Sequence, residues 1–491
     1  MYYTKNMLEN QFFSFIKKPI FILALILVVF FLKGVFLTAL FPIFTGQDEA
    51  RHYNSIQYIN EPENKTWETT KRTHIEKKET FNDYNFSEEI IKTGRVADFD
   101  VFRHELFNTV NFSDSYDGKN EADINSKPWR PYNFYDPPDT AGNSLYHVLG
   151  VQIEKIFSRS DIFVRFFSIR IFSVLLGTLA ILLAYLIAKN IGLKEKYSLI
   201  LTAIIAFQPK YAMYSAIINY DVLLIPLFFL FTLGAVLSLK NGLNWKNFLI
   251  MVVAVFAGLF TKGTAIVMLG TFIFLIACHI YKKIKEQKKK ISVKFILLPI
   301  ISILVIMFFS SYNFLELIPY KKSLSETLVS LGQYLSESLT LGRFGLSSRT
   351  YWGSLGWFDN LVENNFTDIV WLIEIIAGAG IIYFLFSKKK FTFLPEKKYV
   401  IFLLAMIVSL QLGVRIADWK IFMRTGGLDL GTPGRYFLPN LASHIILLFV
   451  GLGALLRKER YFKNALILGL ILTFSFSMYL TFNVILPRYY L

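Results

Sequence analysis

The chain has 491 residues, of which 54% are hydrophobic, and its formal net charge at pH 7 is +16. Its mean hydropathy of +0.44 is above what soluble globular domains show. Apolar runs of about 20 residues, long enough to cross a bilayer as a helix, recur along the sequence. These runs are continuous rather than alternating, so they predict an all-α polytopic membrane protein.

The positive charge does not indicate a nucleic-acid-binding protein. Lys and Arg fall mainly in short links between the apolar runs, as the positive-inside rule expects of cytoplasmic links. Cys278 is the only cysteine and lies in an apolar run, which excludes a disulfide framework. We therefore expect membrane lipids, and no nucleic acid, among the partners.

Residues 1–44 are predicted to hold a cytoplasmic N-terminus and a first span. The apolar run begins at about Ile20, and the lysines before it place the N-terminus in the cytoplasm. The run is longer than the apolar part of a signal peptide and lacks a small-residue cleavage site. It is therefore expected to be retained in the membrane.

Residues 45–161 form a long hydrophilic segment after this span. Between residues 48 and 159 it carries twenty Asp and Glu against fourteen Lys and Arg, the reverse of the balance in the whole chain. It is also rich in aromatic residues, which a disordered linker would not be. We expect a large first external loop with juxtamembrane helices lying on the membrane surface.

Alternating the later apolar runs with their basic links gives a bundle of about 11 transmembrane helices. Spans two to seven fall within residues 162–309, a second external loop covers 310–368, and spans eight to eleven fall within 369–491 around a third external loop at 415–435. The predicted bounds of spans two to eleven are about 163–187, 197–218, 221–239, 248–260, 263–281, 295–309, 369–386, 399–414, 436–456 and 465–485.

This topology gathers the unusual polar residues on the external side, although it rests only on apolar length and link charge. A charge at the bilayer centre costs roughly 2.5–3.5 kcal/mol on insertion scales, so such residues are usually interfacial, paired or functional. Carboxylates in such a cluster suit a general base, and cations suit a phosphate group. The candidates are Asp48, Glu49 and His52 at the exit of span one, His147 before span two, Asn219 and Asp221 in the first outer hairpin, Lys262 in the second, Trp357 in the second external loop, and Arg435 with Tyr436 at the start of span ten.

Taken singly, these residues have structural explanations. Lys262 alone can be an interfacial lysine with its stem along the bilayer, and Asp221 alone can cap the helix that follows it. Arg170, inside span two, is expected to pair with a carboxylate or to face the bundle interior. Convergence on one side is what favours a site, and an external cavity at membrane level suits a lipid-phosphate substrate.

Six runs of residues resemble landmarks of membrane glycosyltransferases with the GT-C fold. The resemblance covers nearly the whole chain in order, and it points to a bacterial branch related to protein O-mannosyltransferases and lipid A aminoarabinose transferases. The runs are FPIFTGQDEARH from Phe41, PPDTAGNSLYHVLG from Pro137, FQPKYAMYSAIINYD from Phe207, FAGLFTKGTAIV from Phe256, GSLGWFDN from Gly353 and GTPGRYFLP from Gly431.

The resemblance implies a GT-C-like bundle in the bacterial cytoplasmic membrane, with a polyprenyl-phosphate sugar as donor. Transfer would occur with inversion on the external face. The acidic residue at the exit of the first span, here Asp48 or Glu49, would be the catalytic base. By the same resemblance the donor phosphate would be bound by Lys262, Arg435 and Tyr436, and the substrates would be contacted by His52, His147, Asn219, Asp221 and Trp357.

Two points stay open at the level of sequence. The adjacent carboxylates do not reveal which of Asp48 and Glu49 is the base. Some members of the wider fold need a divalent metal, Mg or Mn, and the two carboxylates with His52 offer ligands for one. The mannosyltransferase-like members generally need none, so no residue is assigned as a metal ligand.

The predicted function is a glycosyltransferase acting on a cell-surface glycan, a lipid or a protein. A polymerase or ligase that uses a lipid-linked oligosaccharide diphosphate shares the same chemistry and stays open. A non-catalytic flippase or transporter of lipid-linked glycans would instead need polar residues throughout the membrane depth. A purely structural or sensory first loop would leave the converging cations unexplained.

Overall fold

A computed structural model of the chain describes residues 18–60, 89–90, 93, 144–287, 324–355, 360–361, 364–428 and 432–490. This part is helical apart from a two-stranded antiparallel hairpin, β1 (Ser354–Leu355) and β2 (Asn360–Leu361). The α-helices are α1 (Pro19–Leu40), α2 (Glu49–Asn60), α3 (Leu145–Ile156), α4 (Ile162–Asn190), α5 (Glu195–Phe207), α6 (Pro209–Tyr214), α7 (Asp221–Asn241), α8 (Trp245–Thr261), α9 (Ile266–Gln287), α10 (Leu324–Ser338), α11 (Leu341–Gly353), α12 (Asn364–Phe386), α13 (Lys397–Thr425), α14 (Leu441–Leu456), α15 (Glu459–Leu480) and α16 (Leu486–Tyr490).

Eight helical segments in the described residues are long and apolar enough to cross a membrane, and α8 is a shorter apolar helix. This confirms the prediction of a polytopic, all-α membrane protein. The predicted span at 295–309 and most of the predicted first external loop lie outside the described residues. The total of eleven spans therefore stays a prediction.

The third predicted span is a broken helix. α5 ends at Phe207, and α6 begins at Pro209 after an extended residue, Gln208. Proline fits the first turn of a helix because it lacks an N–H. The Gln208 Oε1 accepts the Tyr211 N–H at 2.5 Å and so caps α6. The break turns the chain towards the end of the bundle where the candidate residues lie.

The ninth predicted span is longer than expected. α13 continues past the predicted end at residue 414 to Thr425, and Gly426 ends it in a left-handed conformation with φ of 77°. Residues 415–425, which were predicted to belong to the third external loop, are therefore helical. The prediction ended the span too early because Arg415 and Asp418 lower the mean hydropathy of the last turns of α13.

A separate apolar cluster lies at one end of the bundle, where α1 ends and α4 begins, which we call the Asp48 end. There α2 and α3 pack over the first turns of α4, with Tyr53 and Tyr146 fully buried against them. The two short helices begin and end the predicted first external loop. The external position of this segment and its place on the membrane surface stay predictions.

A 3-10 helix at Gly434–Asn440 leads into α14 at the same end. Its first residue lies so close to α11 that an added Cβ would be 2.2 Å from the Tyr351 backbone nitrogen. Only glycine permits this approach. The contact fixes the position of the next two residues, Arg435 and Tyr436.

Candidate functional site

The turn between α1 and α2 gives two neighbouring carboxylates opposite surroundings. Asp48 has a left-handed backbone with φ of 58°, a conformation that Asp tolerates better than most residues. α2 begins at the next residue, Glu49. The Asp48 side chain is 27% exposed, whereas that of Glu49 is fully buried. A substrate at the surface of this turn can contact only the first of the two.

Arg170 of α4 binds Glu49 from inside the bundle. Its Nε and Nη2 donate to the two carboxylate oxygens at 2.8 and 2.7 Å. Nη1 and Nη2 also donate to the carbonyls of Thr38, Phe41 and Pro42, at the C-terminal end of α1. These bonds use all five guanidinium donors, and they satisfy carbonyls that a helix end leaves without partners. The expected pairing of Arg170 with a carboxylate is confirmed.

Two backbone N–H groups complete the surroundings of Glu49. Ile218 donates to Oε1 at 2.9 Å and Gly46 donates to Oε2 at 3.1 Å. A buried ion pair is tolerated only when such bonds satisfy its remaining lone pairs. Glu49 therefore joins the end of α1, the first part of α4 and the loop before α7.

Asp48 pairs with a different arginine. Arg435 Nη1 donates to Asp48 Oδ2 at 2.9 Å and to Tyr214 Oη at 3.3 Å, and Tyr214 donates to Gln47 Oε1 at 2.7 Å. The Gln47 Nε2 is buried and has no hydrogen-bond partner in the described part of the chain. Such a group costs about 1–3 kcal/mol unless water or a ligand accepts from it.

Lys262 and Asp221 form a second ion pair, with 2.7 Å between Nζ and Oδ1. The ammonium lies over the rings of Tyr220 and Tyr436, 4.7 and 4.6 Å from their centroids. Burial lowers the pKa of Lys262, but Asp221 and the two tyrosines outweigh burial and raise this pKa above its ordinary value. The side chain is therefore a cation at neutral pH.

Tyr436 connects the two ion pairs. Its ring contacts Lys262, and the Arg435 guanidinium lies 5.0 Å from the same ring and donates to its hydroxyl at 3.3 Å. The two cations and the two carboxylates have formal charges that cancel. An incoming anion must therefore compete with Asp48 or Asp221 for its cation.

Asn219 holds the chain between these pairs. Its Oδ1 accepts the backbone N–H of Asp221, the first residue of α7, at 2.8 Å, and its Nδ2 donates to the Gln47 carbonyl at 3.2 Å. The side chain is 2% exposed. Both ends of the amide are thus used to position the residues beside the two carboxylates. Asp221 is the first residue of α7, and the N-cap position before it is Tyr220.

His52 and His147 form a buried pair beside this set. Nδ1 of the first and Nε2 of the second are 3.0 Å apart, so one ring donates and the other accepts. His52 also packs edge-on against Tyr220, with 4.5 Å between ring centroids. Burial, and then electrostatic interactions with His147, Lys262 and Arg435, lower the pKa of His52 well below its ordinary value. His52 is therefore neutral at pH 7.

The residues considered for a metal do not assemble into a ligand set. In the parts of the chain that the structure describes, no group of three His, Cys, Asp or Glu side chains is placed to hold a metal ion. Glu49 is bound to Arg170, and His52 is turned towards His147. The donors offered by the sequence therefore do not fit a divalent cation in this arrangement.

The structure brings most of the predicted residues together and adds three. Asp48, Arg435, Tyr436, Lys262 and Asp221 form one connected set, and Glu49 is separated from it behind Arg170. Trp357 lies outside the described residues, so its predicted role is untested. The additional residues are Gln47, Tyr214 and Tyr220, all of which stand inside the runs that carried the resemblance.

Comparison with known families gives one match. Residues 158–306, less than half of the chain, match the model of the family described as dolichyl-phosphate-mannose-protein mannosyltransferase. The matched segment includes Asp221 and Lys262, and it excludes Asp48 and Arg435. A search of the curated proteins found no match. Together with the membrane-length helices, the family match supports a multi-pass membrane glycosyltransferase of the GT-C type.

Proposed function

We propose that this protein transfers a sugar from a polyprenyl-phosphate donor to an acceptor outside the bacterial cytoplasmic membrane, with inversion at the anomeric carbon. The observation that carries the proposal is the connected set of two ion pairs at the Asp48 end. A general base and two phosphate-binding cations lie within it, beside apolar helices that suit a lipid tail. The description of the matching family also includes a dolichyl-phosphate sugar.

Asp48 is the proposed base. It is part-exposed, whereas Glu49 is enclosed by Arg170 and two backbone N–H groups. The acceptor hydroxyl gives its proton to the Asp48 carboxylate, and its oxygen attacks the anomeric carbon of the donor. A general base of this kind typically contributes 10²–10⁴-fold to the rate.

Lys262 and Arg435 are the proposed phosphate ligands. As the new glycosidic bond forms, the bond from the anomeric carbon to the phosphate oxygen breaks, and its electron pair stays on that oxygen. The polyprenyl phosphate therefore leaves with one more negative charge than it had in the donor. Two fixed cations stabilise that charge in a partly dehydrated site.

Donor binding is also proposed to release the base. Because Arg435 donates to Asp48, a donor phosphate has to replace the carboxylate as the partner of Arg435. The released carboxylate then becomes free to accept the acceptor proton. This coupling makes the base available only when a donor is present.

The decisive experiment is transfer by the full chain reconstituted in liposomes, with mass spectrometry of the glycans made with and without the protein to identify donor and acceptor. Asp48→Asn is expected to lower the transfer rate at least 100-fold because an amide cannot accept the proton. Asp161→Asn is the matched control, since asparagine also caps α4 as Asp161 does.

Three outcomes would contradict the proposal. Unchanged transfer by the folded Asp48→Asn protein would exclude this carboxylate as the base. Transfer only from a diphosphate-linked oligosaccharide would indicate a polymerase or ligase, and movement of lipid-linked glycan across the bilayer without transfer would indicate a flippase.

A further inference from the structure

A polar cavity of about 200 Å³, which we call the Glu374 cavity, is lined in part by the 3-10 helix Gly434–Asn440. Its walls come from α11, α12, α13, α14 and the 3-10 helix itself. Aromatic and polar side chains make up most of its lining. Its principal side chains are those of Tyr351, Trp352, Trp371, Glu374, Asn440 and His444.

Glu374 is the acidic group of this cavity, and Arg415 of α13 also lines it. It lies within an otherwise apolar membrane-length helix, and its side chain is 23% exposed. Its Oε1 accepts from Trp352 Nε1 at 2.9 Å and lies 3.3 Å from His444 Nε2. A carboxylate at this depth is costly, so it usually serves a function. Both of these contacts involve Oε1, so Oε2 is available to accept from a ligand.

The partners of Glu374 are themselves fixed. The Tyr351 hydroxyl lies 3.0 Å from His444 Nδ1, and burial raises the pKa of Tyr351. The tyrosine hydroxyl therefore keeps its proton and shares a hydrogen bond with Nδ1, while Nε2 of the same ring faces Glu374. The chain Tyr351–His444–Glu374 holds the carboxylate in one orientation.

Further hydrogen-bonding groups on the wall lack partners. Asn440 is 4% exposed and donates through Nδ2 to the Met406 carbonyl. Its Oδ1 and the Oγ of Ser348 are buried, and neither has a hydrogen-bond partner within the described ranges. Both side chains line the cavity. Hydroxyl groups of a ligand would satisfy these acceptors.

The chemistry of the lining fits a neutral pyranose. Flat aromatic rings pack against the apolar C–H face of a sugar ring, and carboxylate and amide oxygens accept from its hydroxyls. The lining holds one carboxylate and one guanidinium, Glu374 and Arg415, so its formal charge favours a neutral ligand over a phosphate. An alkyl chain would leave the polar groups without partners. The volume is that of about six or seven waters at about 30 Å³ each, close to the space one pyranose occupies.

The cavity is adjacent to the proposed reaction site but does not belong to it. Arg435 contacts Asp48, while Phe437, two residues further along the same short helix, lines the cavity. The donor sugar must lie between the phosphate ligands and Asp48, beside Arg435 rather than beside Phe437. A sugar in the cavity is therefore a different one.

We propose that this cavity binds one neutral pyranose of the acceptor, so that the acceptor is a saccharide of at least two residues. The inference rests on the proposed function only in naming this sugar as part of the acceptor. The existence of the binding site can be tested without any transfer reaction.

The test is saturation-transfer difference NMR on the full chain in lipid nanodiscs, which avoid the sugar head groups of common detergents. The probes are methyl α- and β-pyranosides of glucose, galactose, mannose and N-acetylglucosamine. At least one is expected to bind, and Glu374→Gln and Trp371→Ala are each expected to weaken its binding at least 5-fold. Glu396→Gln, at an exposed position outside the cavity, is the matched control, and thermal unfolding confirms that each variant is folded.

Asp48→Asn separates this proposal from the proposed function, since it should abolish transfer and leave pyranoside binding unchanged. The sugar site would be overturned if no probe bound, if both cavity variants bound it as tightly as the unaltered protein, or if inorganic phosphate competed with the pyranoside. Pyranoside binding without any glycosyl transfer would retain the sugar site and reject the proposed function.

Discussion

At the scale of single residues, Asp48 and Glu49 are one position apart and perform different tasks. The left-handed backbone of Asp48 ends the turn after α1 and directs the next side chain into the bundle. Glu49 thereby meets Arg170, while Asp48 stays at the surface beside Arg435. Neither amino-acid type nor spacing distinguishes the two carboxylates, because the distinction arises from a backbone angle and from residues far along the chain.

Glu49→Gln is expected to destabilise the protein without any direct effect on the proposed chemistry. The amide would leave the Arg170 guanidinium buried and uncompensated, and breaking a buried pair costs about 3–5 kcal/mol. Thermal unfolding in detergent should show a clear drop in midpoint for Glu49→Gln. Asp48→Asn, at a part-exposed position, should unfold near the temperature of the unaltered protein. The reverse order of stabilities would contradict the structural role of Glu49.

His52 is expected to make stability depend on pH. Its pKa is well below the ordinary value of about 6.5 in the folded protein, so the unfolded chain binds a proton that the folded chain excludes. The contribution of neutral His52 to the free energy of unfolding is complete above about pH 6.5. This contribution is lost as the pH falls towards the pKa of His52 in the folded protein.

The measurement is the unfolding midpoint at pH 7 and pH 5. His52→Gln should show a smaller loss of stability between these values than the unaltered protein shows. His279→Gln is a matched control, because that histidine lies on α9 away from the ion pairs. An equal pH dependence in His52→Gln and the unaltered protein would contradict the assignment.

At the scale of elements, α12 and α14 pack through glycine. A Cβ on Gly380 would be 2.1 Å from the Gly451 carbonyl oxygen, and one on Gly451 would be 2.1 Å from that of Ala377. Small residues of this kind let membrane helices approach closely enough for backbone contact. This contact sets the spacing of α12 and α14, which form two walls of the Glu374 cavity.

Gly380→Ala is expected to destabilise the bundle by about 1–3 kcal/mol, the usual cost of inserting a methyl group into close packing. Gly378→Ala on the same helix is the matched control, since nothing lies within 4 Å of its added Cβ. Thermal unfolding should place the control at or slightly above the unaltered protein, because alanine favours helix over glycine. Equal midpoints for the two variants would show that the helices separate without cost.

The elements themselves were largely predictable from apolar length. α1, α4 and α7 begin and end within a few residues of their predicted positions, because a long run of Leu, Ile and Phe has few other folds in a membrane. The break at residues 208–209 was missed, although Pro209 is a helix-start signal. Hydropathy measures whether a run is apolar, and it is insensitive to one polar residue that caps a new helix.

At the scale of the whole molecule, the sequence predicted that the polar residues would gather at one end. The sequence did not predict which of these residues pair with each other. Asp48 pairs with Arg435, and Lys262 pairs with Asp221, only because distant helices pack together. Tyr436 was predicted to bind phosphate, but its contact with both cations became visible only in the structure. The Glu374 cavity was not predicted, because Glu374 and His444 are isolated polar residues in two separate apolar runs.

Topology can be tested by labelling single cysteines in a Cys278→Ser background. Counting the described helices and the predicted span at 295–309, which lies outside the described residues, residues 159 and 388 should face opposite sides. In intact spheroplasts, a membrane-impermeant maleimide should label Arg159→Cys, and it should label Lys388→Cys only after permeabilisation. Both positions are exposed. Labelling of both from outside would contradict the predicted number of crossings.

The pairing of Asp48 with Arg435 also determines when the site can form during biosynthesis. The two residues are separated by 387 positions, which a ribosome covers in about 20–80 s at roughly 5–20 residues per second. Lys262 follows Asp221 after 41 positions, so that pair can form within about 2–8 s on the same scale. During biosynthesis one half of the site is thus complete long before the other. Until the start of α14 enters the bilayer, the nascent protein holds a carboxylate at this end whose cation has not been synthesised.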